Sequence, residues 1–202
     1  MPLVYRIVMW VATPIVRWWG RLEVVNPGLV PLSGATVIMA NHDSQWDPVI
    51  IGIATKRQIR ALAKSSLWKN KPVAWVLDQM GQIPIERGRG DTAALQAAID
   101  QLAAGECIGV FPEGTTSRGQ KMRPLSGAGR LVLAVPSTHL VCAAVTGAVE
   151  IARFPHRPRI KVEFFEPAGG QVVAGESAVA LTKRAMQEIR ELAPFVSSKR
   201  SA

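Results

Sequence analysis

One tyrosine, two cysteines and three histidines are all that 202 residues contain of these types, and each scarcity closes a route. With one tyrosine and aromatics at 6%, and no alternation of basic and aromatic residues, there is no platform for stacking nucleic-acid bases. The two cysteines, Cys107 and Cys142, both sit in apolar runs. They read as buried thiols in a reducing compartment and not as a disulfide or a metal site. Two of the histidines, His139 and His156, have no second ligand at a useful spacing, so nothing supports a metal. There is no Gly-x-Ser-x-Gly elbow, which disfavours a serine-nucleophile hydrolase. Repeats and linkers are absent too, so the chain reads as one domain, 48% hydrophobic and able to bury a core.

Acidic residues are the minority charge. Twenty-four lysines and arginines against fifteen acids give a net charge of +9 and a pI near 10.3. That balance favours anionic partners: a phospholipid surface, phosphorylated substrates or an acidic carrier protein. Residues 51–90 hold eight basic and two acidic residues, and residues 117–130 hold four basic and none acidic. The opening segment, Leu3 to Trp19, is apolar but broken by Arg6, Thr13-Pro14 and Arg17, and it does not read as a cleavable signal peptide. As a helix it would reach about 25 Å, short of a bilayer core of about 30 Å. Trp10, Trp18 and Trp19 beside two arginines suit a membrane interface. Residues 1–20 are therefore expected to be an interfacial helix; the alternative is an amphipathic helix packed on the domain's own core.

Beyond it, strand-like and helix-like patterns alternate. Strands are expected at 21–25, 35–40, 59–64, 82–85, 107–111, 140–145 and 159–165. Helices are expected from Pro48, from Pro72 to Met80, after Asp91 as a cap, from Gly127 to Val135, and from Ser177 to Ala193. This pattern predicts an α/β domain over 21–196, with a mixed, largely parallel sheet covered by helices on both faces. Residues 197–202 read as a disordered tail.

The central stretch is Asn41-His42-Asp43-Ser44-Gln45-Trp46-Asp47-Pro48, where an apolar strand breaks off into polar residues. Residues five apart on a helix lie about 140° apart, so His42 and Asp47 cannot pair on one helical face. Asp47 before Pro48 reads instead as a helix cap, with His42 in the preceding turn within reach of its carboxylate. A histidine held in one tautomer by a carboxylate is a general base near neutral pH. Ser44 and Asp47 also fit a capping box, in which case His42 would be a solvated turn residue. Two more strand ends carry polar clusters: Lys64 with Arg87, and Glu113-Gly114-Thr115-Thr116-Ser117, followed by Arg118. Ligands of open α/β sheets bind beyond the carboxyl ends of strands, so the three clusters are expected to meet in one cleft. The glycines at 88 and 90 would let backbone approach a phosphate closely. Taken singly, Arg87 could be a solvated charge and Gly114 to Ser117 a surface turn.

Taken together, these residues resemble the glycerolipid acyltransferases typified by 1-acyl-sn-glycerol-3-phosphate acyltransferase. That family's Asn-His-x-Ser-x-x-Asp motif is matched by Asn41, His42, Ser44 and Asp47, and its short strand ending in arginine by Gly81 to Arg87. Its Phe-Pro-Glu-Gly-Thr motif is complete at Phe111 to Thr115. A fourth block aligns with Val141 to Gly147 but lacks the usual proline, and Thr116 stands where the family often has arginine. The resemblance implies transfer of a fatty acyl group from an acyl thioester, coenzyme A or acyl carrier protein, to the hydroxyl of a lysophospholipid. His42 would be the base and Asp47 its partner. Lys64, Arg87, Glu113, Gly114, Thr115 and Arg118 would hold the acceptor. Glu113, as an anion, would accept hydrogen bonds from a hydroxyl or brace an arginine. No cofactor beyond the thioester is implied. Other acceptors in this class are glycerol-3-phosphate and other lysophospholipids; outside it, the alternative is a non-catalytic protein that binds anionic lipid.

Overall fold

A computed structural model of the chain describes residues 1–86, 91–152, 155 and 157–195. Seven strands, β1 (Glu23–Val25), β2 (Thr36–Ala40), β3 (Arg60–Lys64), β4 (Ile83–Ile85), β5 (Cys107–Val110), β6 (His139–Thr146) and β7 (Lys161–Phe165), form one sheet. Their order is β1-β7-β6-β2-β5-β3-β4. The five from β6 to β4 run parallel, and β7 reverses against β6, taking β1 with it. The expected mixed, largely parallel sheet is the one observed.

β2 lies at the centre of the sheet, a place its sequence suits. All five residues of Thr-Val-Ile-Met-Ala are buried, and such an apolar run satisfies a strand covered on both faces. Successive side chains alternate between two cores. Ile38 and Ala40 pack with α1 (Leu3–Pro14) and α2 (Asp47–Ala54), whereas Val37 and Met39 pack with α4 (Thr92–Ala103), α5 (Gly127–Ala134) and α6 (Ala178–Leu192). The remaining helix, α3 (Lys71–Gln79), contributes no buried residue. Cys107 and Cys142 face the two cores as free thiols, on strands separated by β2, and burial pushes both up to about 12.

The elements start where the sequence marks them. Asp91 accepts from the Ala94 amide at 2.9 Å and Ser177 from the Ala180 amide at 3.2 Å, as N-caps do. The first strand is shorter than expected, beginning at Glu23 and not at residue 21. Arg21 has φ +45°, a left-handed conformation that cannot enter a strand. The opening helix, continued by a π-helical turn over Ile15–Trp19, packs one side on the core, through Tyr5, Ala12 and Val16, and leaves Leu3, Ile7, Trp10, Val11 and Trp18 exposed. Among the described residues no helix is long and apolar enough to cross a membrane.

Part of the basic excess in residues 51–90 turns out to be structural. Arg57 is buried near the amino ends of the strands, donating to the carbonyls of Pro31, Gly34 and Gly105 and to the Thr36 hydroxyl. Arg60 pairs with Glu106 at 3.0 Å. Neither is available to a ligand at the other edge of the sheet.

The contact between α5 and α6 depends on Gly129. A Cβ there would lie 2.1 Å from the Ala178 carbonyl oxygen, while the Gly129 amide donates to Thr182 Oγ1 at 3.0 Å. Because the obstacle is backbone, Gly129→Ala must push α6 outward. We expect a loss of about 3 kcal/mol and a melting midpoint lower by roughly 6–12 °C, read by circular dichroism.

Candidate active site

Where β2 ends, the chain turns sharply, and a single oxygen organises the turn. Asp47 Oδ2 accepts from the amides of Asp43 and Ser44, each at 2.8 Å, and lies 3.1 Å from His42 Nδ1. The His42–Asp47 pairing follows the spacing argument, but the capping role does not. α2 opens at Asp47 with Trp46 in the cap position and no side-chain cap. The Asp47 carboxylate reaches backward into the turn, so the amides it satisfies precede the helix. Its negative charge still lies at a helix N-terminus, where the dipole favours it. With Asp47 accepting, Nδ1 carries the ring proton and Nε2 is left as the basic nitrogen.

Burial sets the electrostatics. Asp47 is fully buried, and desolvation pushes its carboxyl above the usual range, with the hydrogen bonds from His42 and Ser44 only partly opposing it. Its second oxygen, Oδ1, is buried without a hydrogen-bond partner among the described residues, which explains why burial prevails. The His42 ring packs against Phe111, tilted by 35° with centroids 4.6 Å apart.

The Glu113 cluster at the end of β5 meets this turn directly, because β5 is β2's neighbour. Glu113 Oε2 accepts from the His42 amide at 2.9 Å, and the Ser117 amide donates to the His42 carbonyl at 2.7 Å. Gly114, at φ +71°, makes the turn that allows it: its amide bonds to the Phe111 carbonyl, and a Cβ would press on Leu125. Glu113 Oε1 is held by the Arg190 guanidinium, with Nε at 2.8 Å and Nη2 closer still. Of the two roles open to Glu113, the structure shows the brace, since both oxygens bond within the protein.

Two residues that carry the site were given no role on sequence grounds. Asp43 joins Arg190 through both oxygens, at 2.8 and 3.0 Å, and accepts from Asn41 and from the Ser117 hydroxyl. Burial raises its carboxyl, but the bonds from Arg190, Ser117 and Asn41 outweigh that and hold it below the ordinary value. Glu113 goes the other way, because burial dominates over Arg190. Arg190 comes from α6, and a signal for it exists. It falls four residues after buried Met186, beside buried Ile189, so a charge sits on a helical stripe that should be apolar. Asn41, quoted only as part of a motif, bonds both ways to the Val145 backbone, each at 2.8 Å, tying β6 to the turn.

The expected acceptor residues stand at the same edge of the sheet without joining this network. Lys64, Thr115 and Arg118 are exposed, and among the described residues none bonds to His42. Arg118 adopts φ +50°. Arg87, Gly88 and Gly90 lie outside the described residues, as do His156 and the 197–202 tail. Among the described residues no group of three or more His, Cys, Asp and Glu side chains is gathered as for a metal ion.

Residues 21–150 match the acyltransferase family model. The chain belongs to the acyltransferase family. The matched segment contains the whole His42 turn and the Glu113 loop, but not α6. Among relatives, a 1-acyl-sn-glycerol-3-phosphate acyltransferase of Bacillus subtilis is 26% identical over 86% of this chain and 88% of its own length. A lyso-ornithine lipid O-acyltransferase of Pseudomonas aeruginosa is 32% identical over 56% of this chain, which spans 46% of that protein. The crystal structure of a 1-acyl-sn-glycerophosphate acyltransferase from Thermotoga maritima superimposes with a TM-score of 0.69, over 93% of this chain and 78% of that one, at 18% identity. This acyltransferase therefore has the fold of that enzyme, and the resemblance to glycerolipid acyltransferases drawn from the motifs is met.

In an acyltransferase the Asp47 carboxylate should matter through its charge. Asp47→Asn keeps an oxygen for the two turn amides but loses the anion facing the imidazole. The expected result is a turnover lower by about 10²–10⁴ with an unchanged melting midpoint. Near-normal turnover would show that the pairing is unimportant to the reaction.

Proposed function

We propose that this acyltransferase moves a fatty acyl group from an acyl thioester to the free hydroxyl of 1-acyl-sn-glycerol-3-phosphate, giving phosphatidic acid, with His42 as general base. The observation that carries this reading is the buried Asp47–His42 pair, which leaves Nε2 to take the hydroxyl proton. The acceptor oxygen then attacks the thioester carbonyl. As the tetrahedral intermediate collapses, the C–S bond breaks, and the proton on Nε2 is delivered to the departing thiolate or to solvent. A thioester leaves well enough that no covalent enzyme intermediate and no cofactor is needed. Asp47 fixes the tautomer and stabilises the imidazolium while it exists.

Lys64, Thr115 and Arg118, exposed around this edge, together with Gly114 and with Arg87 from beyond β4, would hold the acceptor's phosphate and glycerol oxygens. The donor, coenzyme A or acyl carrier protein, is itself anionic and suits a net charge of +9. The Pseudomonas relative's acceptor is a lyso-ornithine lipid, which favours testing that headgroup beside the phosphate. The deciding assay is purified enzyme with one acyl-coenzyme A and a panel of 1-acyl-glycerol-3-phosphate, glycerol-3-phosphate and lyso-ornithine lipid. His42→Ala should lower turnover on the preferred acceptor by about 10²–10⁴, with the fold retained. A rate near that of the unaltered enzyme would end the general-base assignment.

A long-chain acceptor resides in a bilayer, so we place the enzyme on the cytoplasmic leaflet as a peripheral or monotopic protein. The exposed side of α1 supports this, as do exposed Leu67, Val73 and Trp75 around α3, whose neighbours Lys69 and Lys71 suit anionic headgroups. Two grooves border α1. One of about 470 Å³, lined by Leu3, Tyr5, Met9 and Trp10 among others, lies beside Arg57, away from His42. The other, about 460 Å³, is lined by Pro14, Ile15, Trp18, Trp19, Ile151 and Ala152, just past β6 at the His42 edge, and suits an apolar chain. Deleting the whole helix would also remove core residues such as Tyr5 and Val16, so exposed positions make the cleaner test. Ile7→Ser with Trp10→Ser should weaken co-sedimentation with anionic liposomes at least threefold and slow acylation of a long-chain acceptor more than of a short-chain soluble one. Unchanged liposome binding would show that another surface makes the contact.

A further inference from the structure

The guanidinium of Arg190 touches nothing that reacts, yet it holds one neighbour of the candidate base in the chain and another in space. It grips Asp43, the next residue after His42, through Nη1 at 2.8 Å and Nη2 at 3.0 Å. It also grips Glu113, whose other oxygen takes the His42 amide. The remaining contacts fix the clamp itself: Nη1 donates to the Ala193 carbonyl at 3.1 Å, and Phe195 covers the guanidinium at 3.9 Å. The side chains of all three ionic partners are at most 10% exposed. Glu113 is buried, and Asp43 keeps only that small exposure. A planar fork with five donors suits this task in a way that an ammonium does not.

We propose that Arg190 is a positioning residue of the transfer reaction: by clamping Asp43 and Glu113 it fixes the backbone of His42, so that α6 sets the aim of the base. This rests on His42 being the general base. The geometry gives two routes to the imidazole. One passes along the chain from Asp43, and the other through Glu113 Oε2 to the His42 amide. With Arg190 removed, two carboxylates would face each other around the turn with no cation between them, and the turn would relax to separate them. A displacement of the base by an ångström can cost about 10² in rate without changing how substrate is held.

Four proteins test this, Arg190→Gln, Arg190→Lys, His42→Ala and the double variant His42→Ala/Arg190→Gln, each assayed for turnover, for KM with acceptor and donor, and for melting midpoint. Arg190→Gln should lower kcat by about 10- to 100-fold with either KM changed less than about threefold. Arg190→Lys should recover part of the loss, since it keeps the charge but not the fork. In the His42→Ala background the Arg190→Gln change should lower the residual rate by less than about twofold, because a residue acting through the base has nothing left to aim. An equal fold-loss in both backgrounds would overturn the proposal, as would a raised acceptor KM at unchanged kcat, which would make Arg190 a phosphate ligand. Arg190→Gln with normal kcat, while His42→Ala is inactive, refutes the clamp and leaves the base standing; a fully active His42→Ala refutes both. Should Arg190→Gln fail to fold, the same cycle is run with Arg190→Lys, and the same outcomes decide it.

Discussion

Asp47 Oδ2 receives three donors, from the Asp43 amide, the Ser44 amide and His42 Nδ1. The turn after β2 has no regular secondary structure to satisfy its amides, and a buried amide without an acceptor costs about 1–3 kcal/mol. The same oxygen that satisfies the turn also orients the imidazole, so the turn and the His42–Asp47 pairing share one atom. Because the turn is fixed, the loop after β5 can lean on it through the Ser117 amide and Glu113. Because β5, β3 and β4 run parallel to β2, their ends lie at the same edge.

That edge holds an unusual charge arrangement for so basic a protein. Asp43, Asp47 and Glu113 lie together with the guanidinium of Arg190 as the bonded cation. Buried ions are costly, and the cost is recovered only where nearly every lone pair has a donor. Asp43 meets that condition, and its carboxyl is held low; Glu113, and Asp47 with one oxygen bare, do not escape their burial. The surrounding positive surface is a separate matter, since Lys64 and Arg118 are exposed and uncommitted to this cluster. The exposed cations thus form a rim, with the largely buried carboxylates beneath it.

Much of this was legible in the sequence, and the rest was hidden for identifiable reasons. Short-range patterns gave the buried strand at Thr36–Ala40, the Asp91 cap, the helix starting at Ser177, and the pairing of His42 with Asp47. The capping role given to Asp47 was misread, because a residue before proline at a helix start usually caps forward, whereas Trp46 holds the cap position. Here the preceding turn had two amides in greater need. Arg21 shortened β1 through a backbone angle that composition does not reveal. Arg57 was counted with the ligand-facing cations, although it is spent on carbonyls at the far edge. Arg190 escaped because its partners are distant: 147 residues separate it from Asp43, and only the fold brings α6 beside β2. The misplaced charge on the apolar stripe of α6 was the one local trace.

The position of α6 in chain order has a consequence for biogenesis. All seven strands precede it, so during synthesis the sheet can form while Asp43 and Glu113 still lack their cation. Such a nascent sheet would carry two like charges pressed toward the His42 turn and an open apolar face where Leu181, Ala185 and Ile189 belong. Docking of α6 brings the Arg190 cation between the two carboxylates and covers that face in a single step.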